Sequence, residues 1–136
     1  MPHLTVQAAE VQLAGHEDTL ITALTDAVVG VYGDWARPLV VIRLVGVPTG
    51  RWAVGGVPTD NPAPEVAFGI RAGALARPDG RDIARRLVAA VTDAVATALE
   101  LDDDLRATTI VELIPQPDEL VGVGGTLIND TTETEG

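Results

Sequence analysis

The sequence predicts an α+β (α/β) domain built from two tandem strand–helix–strand units, which form a four-stranded mixed sheet with two helices on one face. Three observations carry this. First, a pattern repeats in order. Thr25-Asp-Ala-Val28 recurs as Thr92-Asp-Ala-Val95, Val41-Ile-Arg-Leu44 lines up with Ile110-Val-Glu-Leu113, and Trp52-Ala-Val-Gly-Gly56 with Val121-Gly-Val-Gly-Gly125. Pro2-x-Leu-Thr-Val6 likewise corresponds to Pro64-x-Val-Ala-Phe68. Second, each half reads strand, helix, strand, then a short extended piece ending Val-Gly-Gly. Third, neither half can bury both faces alone, so the two must share one sheet. One domain over residues 1–125 follows, with pseudo-repeats 2–56 and 64–125 and a flexible acidic tail over 126–136.

The elements follow in order. Residues 2–9 alternate, with Leu4 and Val6 on one face, and read as a strand. A polar stretch leads to Gly15, His16, Glu17 and Asp18, which suit a helix start, and Ile21, Leu24, Val28 and Val31 at helical spacing predict a helix over roughly 16–31. Gly33 and Pro38 bracket its end. Residues 39–45 are an apolar run broken only by Arg43, the pattern of a buried strand in a parallel pair. The strand–helix–strand crossover is expected to be right-handed. Residues 48–64 hold turn chemistry around the extended piece Trp52-Ala-Val54, a hairpin or edge strand. The pattern then restarts. Glu65–Arg71 reads as a strand, 72–79 as a loop, and Ile83, Leu87, Val91, Val95 and Leu99 as the buried side of a helix of about 20 residues. Asp102-Asp-Asp104 ends that helix, and 108–114 is the last long strand.

Composition narrows the function classes. The formal charge is −11, and all nine basic residues are arginine. Nucleic-acid binding needs clustered positive charge and is not expected. With no cysteine there is no disulfide, thiolate metal site or thiol nucleophile. His3 and His16 have no partners at metal-ligand spacing, and the Gly-Gly pairs lack a Gly-Lys sequel, so neither a metal site nor a phosphate loop is read. No window approaches the roughly 18 apolar residues of a membrane span, and a soluble cytoplasmic protein is expected. Arginine forks hold carboxylates well, so an acidic chain can still bind a small anion where arginines converge.

Pro2 follows Met1 directly. Removal of Met1 would leave Pro2 as a free secondary amine at the end of an apolar strand. Such an amine titrates near 7.7–8.0, and apolar burial disfavours its charged form. Read against this, Met-Pro is also a common way for a chain to begin. Arg43 either points into a site or pairs with Glu112, the matching position in the other half; the structural pair is favoured. Tyr32 and Trp35 read as core or interface rather than site lining, Trp52 as the wall of a pocket between chains, and Arg85 and Arg86 as solvated helix face.

With Pro2, the doubled unit and the two Val-Gly-Gly endings, the chain resembles the tautomerase superfamily over about residues 2–125. Double-unit members include malonate semialdehyde decarboxylase, cis-3-chloroacrylic acid dehalogenase and macrophage migration inhibitory factor. The resemblance implies a catalytic amino-terminal proline, here Pro2, no cofactor, a homotrimer and a site near a subunit boundary. It places Arg71 where the dehalogenase and decarboxylase carry substrate-binding arginines, with Ala72 and Gly73 following where those members have a close pair. Arg77 lies across a longer loop. Val28 replaces the dehalogenase's histidine in Thr-Asp-Ala-His, and Arg37 falls near the decarboxylase's aspartate, where single-unit tautomerases carry a substrate-binding arginine. The reading implied is a cofactor-independent tautomerase, an isomerase using Pro2 as base and acid on a small 2-oxo or unsaturated carboxylic acid. Arg71, Arg37 and Arg77 are the candidate carboxylate-binding residues. The alternatives are a hydratase or dehalogenase of a small unsaturated acid, and a non-catalytic trimeric protein of the same fold.

Overall fold

The computed structural model describes residues 2–130. The expected removal of Met1, and residues 131–136 of the expected tail, lie outside them. The four long strands are β1 (His3–Ala9), β2 (Val41–Val47), β5 (Glu65–Arg71) and β6 (Ile110–Gln116). They form one sheet in the order β2-β1-β5-β6. β1 runs parallel to β2 and β5 parallel to β6, while β1 and β5 meet antiparallel. The sheet is mixed, as expected.

Two long helices, α2 (Glu17–Tyr32) and α4 (Gly80–Ala98), cross one face of the sheet. Acidic residues in their first turns, Glu17 and Asp18 in one and Asp82 in the other, suit the positive end of the helix dipole. The core lies between sheet and helices. Leu4 and Val6 of β1 and Val66, Phe68 and Ile70 of β5 pack with Leu20, Leu24 and Val28 of α2 and Leu87, Val91 and Val95 of α4, all almost fully buried. Burying each such side chain stabilises by about 1.5–3 kcal/mol.

The internal repeat is written into the backbone. The Pro2 carbonyl accepts from the Val41 N–H at 3.0 Å, and the Pro64 carbonyl from the Ile110 N–H at 3.2 Å. The hydroxyls of Thr25 and Thr92 each donate to the carbonyl four residues back. Asp26 pairs with Arg37, and the matching Asp93 with Arg106. Two small hairpins close the halves: β3 (Ala53–Val54) with β4 (Val57–Pro58), and β7 (Gly122–Val123) with β8 (Thr126–Leu127). Gly55-Gly56 and Gly124-Gly125 turn them at positive φ, between 58° and 88°, the two-residue turn that matches strand twist.

The structure departs from the sequence reading at several places. The polar stretch after β1 contains a helical turn, α1 (Glu10–Leu13), because Gln12 Oε1 accepts from the Ala9 N–H at 2.9 Å and Leu13 is buried. The loop after β5 contains another, α3 (Ala72–Leu75). α4 starts hard against it: a Cβ on Gly80 would stand 2.1 Å from the Leu75 carbonyl oxygen, so only glycine fits. The Asp102-Asp-Asp104 run starts a helix as well as ending one. Asp102 Oδ1 accepts from the Leu105 N–H at 2.8 Å and caps α5 (Asp103–Thr108). Thr126 and Leu127, expected in the tail, belong to the second hairpin.

The Arg43–Glu112 pair does not form within the chain. Register places Arg43, Thr5, Ala67 and Glu112 in one row across the open sheet face, so the two charges sit at opposite edges. Three strand spacings separate them, about 14 Å. That face is also more polar than the Val and Ile excess suggests, since Thr5, Gln7, Glu65 and Gln116 share it with Val45, Ile110 and Ile114.

Candidate active site

Topology brings separate strand ends to one place. β5 runs antiparallel to β1, with Gly69 opposite His3, so the end of β5 lies beside the start of β1. β2 starts beside β1 with Val41 opposite His3, so the chain leaving α2 must return to the same spot. Pro2, the end of α2, the turn before β2 and Arg71 therefore converge.

They enclose a cavity of about 180 Å³. Pro2 forms part of its wall and is buried. Ile70 and Arg71 line it from β5, and Ala74 from α3. Tyr32, the last residue of α2, and Trp35 and Leu39, from the 3-10 turn Asp34–Leu39, complete it. Gly33 breaks α2 with φ 113°, so the chain doubles back and Trp35 folds onto the helix end. The Trp35 indole N–H donates to the Tyr32 carbonyl at 2.8 Å, and the two rings lie 6.0 Å apart at 57°. Trp35 remains 65% exposed, at the surface of the wall. Burial pushes the Tyr32 phenol above its usual value, so its hydroxyl stays protonated as a hydrogen-bond donor.

Among the described residues Arg71 is the one cation of this wall, and it is held by Asp118. Nε donates to one carboxylate oxygen at 3.0 Å and Nη2 to the other at 2.9 Å, a two-point charge-assisted contact. Asp118 begins the 3-10 turn Asp118–Leu120 after β6. The contact holds the Asp118 carboxyl below the usual carboxylate value and raises the Arg71 guanidinium. The sign follows from the depressed carboxyl: the pair's contribution is complete above Asp118's ordinary value of 3.8 and is lost as pH falls through the lower folded one.

Behind Arg71 lies a second, more polar cavity of about 220 Å³, walled by His3, Arg71, Gln116 and Asp118 with Val123 of the second hairpin and Val121 just before it. Partial burial lowers the His3 pKa, so its imidazole is mainly neutral at pH 7.

Of the four residues singled out by sequence, the structure brings Pro2 and Arg71 together and leaves Arg37 and Arg77 apart from their cavity. Arg37 Nη1 lies 3.0 Å from Asp26 on the exposed surface, and Arg106 repeats the arrangement in the second half. Arg77 lies 3.5 Å from Asp79, also exposed. Sequence reasoning missed Asp118 entirely and assigned Tyr32 and Trp35 to core or interface. A signal for the two aromatics exists: the residues between α2 and β2 must pass the start of β1 in any parallel crossover. Among the described residues no group of three His, Asp or Glu side chains could hold a metal ion, and no helix is long and apolar enough to cross a membrane.

Comparison with known proteins gives the fold. No family model and no curated protein sequence matches the chain. Solved structures do. A native fused 4-OT is 23% identical with a TM-score of 0.80, over 96% of this chain and 98% of that one. Pt0534 inactivated by 2-oxo-3-pentynoate is 20% identical with a TM-score of 0.78, over 95% and 98%. A member of the cis-3-chloroacrylic acid dehalogenase family is 20% identical with a TM-score of 0.68, over 92% and 82%. The architecture here is thus the tautomerase fold of these proteins, with the doubled unit spanning nearly the whole chain.

Proposed function

We propose that this chain, folded as the fused 4-OT structures are, is a cofactor-independent enzyme of the tautomerase type, with Pro2 as its proton-transfer group. The observation that carries this reading is the convergence of buried Pro2 and Arg71 on one largely apolar cavity. With Met1 removed, the Pro2 nitrogen is an amine among Ile70, Leu39 and two aromatic rings, surroundings that favour its neutral, basic form. Arg71 holds the carboxylate of a small 2-oxo or unsaturated acid. Pro2 takes a proton from the carbon next to the carbonyl and returns it at the other end of the enol. The Tyr32 hydroxyl, kept protonated, is available to the developing enolate oxygen. Inactivation of Pt0534 by a 2-oxo acid favours the same ligand class for this chain. In this reading Arg37 and Arg77, ion-paired outside the cavity, keep structural roles.

A hydratase or dehalogenase reading keeps the same anchor and adds water. The polar cavity behind Arg71 and the likeness to a dehalogenase-family member support it as the second choice. The deciding experiment offers the purified chain, its mass showing that Met1 is gone, the enol of phenylpyruvate and an unsaturated acid in turn. Rapid ketonisation is the expected result. Hydration alone moves the chain to the second reading, and turnover of neither leaves a non-catalytic protein of this fold.

The reading includes a homotrimer. Fused 4-OT chains form trimers, and here the open sheet face carries Arg43 at one edge and Glu112 at the other, opposite charges that suit a head-to-tail ring. Val54 and Val57 of the first hairpin and Val123 of the second are more than half exposed in the single chain. Light scattering is expected to give three times the chain mass; a stable monomer at micromolar concentration would contradict the ring.

A further inference from the structure

We propose that Asp118 is a positioning residue that locks Arg71 into a one-sided fork, and that the locked fork makes the cavity a receptor for a monocarboxylate with an apolar tail. This rests on reading the Pro2 cavity as a carboxylate site.

The Arg71 guanidinium has five N–H groups: one on Nε and two on each terminal nitrogen. Asp118 takes the Nε–H and one N–H of Nη2. What remains for a ligand is the adjacent end of the guanidinium, where Nη1 and the second N–H of Nη2 present a parallel pair spaced for one carboxylate. Asp118 thus fixes both the plane of the guanidinium and the edge it offers. It is well placed to do so, because its side chain is only 23% exposed and it sits at the start of a short turn anchored to the end of β6.

Charge then limits what the fork accepts. Arg71 and Asp118 together carry no net charge, so a monoanion finds directed hydrogen bonds but little surplus attraction. A dianion must also place its second carboxylate. The remaining wall is Tyr32, Trp35, Leu39, Ile70 and Ala74 with neutral Pro2, which among the described residues offers no second cation. Arg37 and Arg77 are turned to Asp26 and Asp79 outside the cavity. A carboxylate pressed against that wall loses hydration and finds at most the Tyr32 hydroxyl, with no cation among the described residues to replace it. A ring or alkyl tail there gains by burial instead, and about 180 Å³, the space of about six waters, admits one.

The test uses ligands that cannot enolise, so that it reads binding alone. Calorimetry compares 3-phenylpropanoate with glutarate on the wild type, Asp118→Asn and Asp118→Glu, each first shown to be folded by circular dichroism. The wild type is expected to prefer 3-phenylpropanoate by at least about tenfold, the ratio that about 1.4 kcal/mol gives. Asp118→Asn, nearly the same shape, restores the positive charge and frees the fork; glutarate should gain and the preference fall to within about threefold. Asp118→Glu keeps the charge and should recover most of the preference. A residue with only a structural role would weaken both ligands together and leave the ratio unchanged, and that result overturns the proposal. A wild type that prefers glutarate, or binds neither ligand, overturns it as well. The phenylpyruvate assay judges the enzymatic reading separately: turnover with an unchanged ratio removes only the role of Asp118, and the predicted ratio without turnover removes only the chemistry.

Discussion

A chain that retains Met1 is expected to lose turnover by about 10²–10⁴-fold, the span that a positioned acid–base group contributes. With Met1 in place the Pro2 nitrogen is an amide, which has no basic lone pair. Little else need change, because the Pro2 carbonyl still accepts from the Val41 N–H and β1 still pairs on both sides. Affinity for a non-reacting carboxylate should therefore fall far less than kcat. Pro2→Ala is the informative companion: it keeps a chain-end amine, so partial activity is expected to survive. The internal repeat supplies a built-in contrast, since Pro64 occupies the position equivalent to Pro2 but lies within the chain and can never present an amine. Equal activity in retained and trimmed forms would remove Pro2 from the mechanism.

Arg71→Ala is the second large effect. Loss of a hydrogen bond to a charged group costs about 1.5–3 kcal/mol, and here it should appear as weaker carboxylate binding together with lower kcat/KM. The substitution also strands Asp118, leaving its carboxylate in the neighbouring cavity without its cation, where it would repel an incoming anion. The loss should accordingly lie toward the upper part of that range. Arg86→Ala on the outer part of α4 is the control, expected to stay within about 0.5 kcal/mol as surface changes do. Matching kinetics in both variants would move the anion pocket elsewhere, with Arg37 and Arg77 next in line.

Much of the fold is legible because its determinants are periodic and local. Alternation gives Glu65–Arg71 its bounds, the fourfold spacing from Ile83 to Val95 gives α4, and the repeated Gly-Gly pairs mark both hairpins. Repetition settles the architecture where any single match would be weak. The short elements α1, α3 and α5 are not legible in the same way. Each is a turn or two held by a few individual contacts, such as the Gln12 amide oxygen on the Ala9 N–H or the Asp102 cap on Leu105, and has no periodicity to read.

The candidate site divides along a similar line. Pro2 and Arg71 stand out as chemically distinctive residues at strand ends, and antiparallel register is enough to bring those ends together. Asp118 is 47 residues from Arg71, and their contact depends on where the chain turns after β6, which no local pattern specifies. Arg37 shows the opposite difficulty. It stands near the site in sequence, but Asp26, nearly two helix turns and a bend away, captures it, and the Arg106–Asp93 pair shows that the capture belongs to the repeat. Arg43 and Glu112 match in the repeat without meeting, because pseudo-symmetry places equivalent residues on opposite edges of the sheet.

If Pro2 is a neutral amine in an apolar cavity, titration of that one nitrogen will show it. Bromopyruvate alkylates the unprotonated form, so the rate of mass gain on the N-terminal peptide, followed against pH, reports the pKa of that one nitrogen. Selective modification at Pro2 is expected, with a midpoint clearly below about 7.7, the lower end of the reference range for a chain-end amine. A midpoint at about 8 or above, or a rate no greater than that of a free peptide with the same first residues, would contradict it.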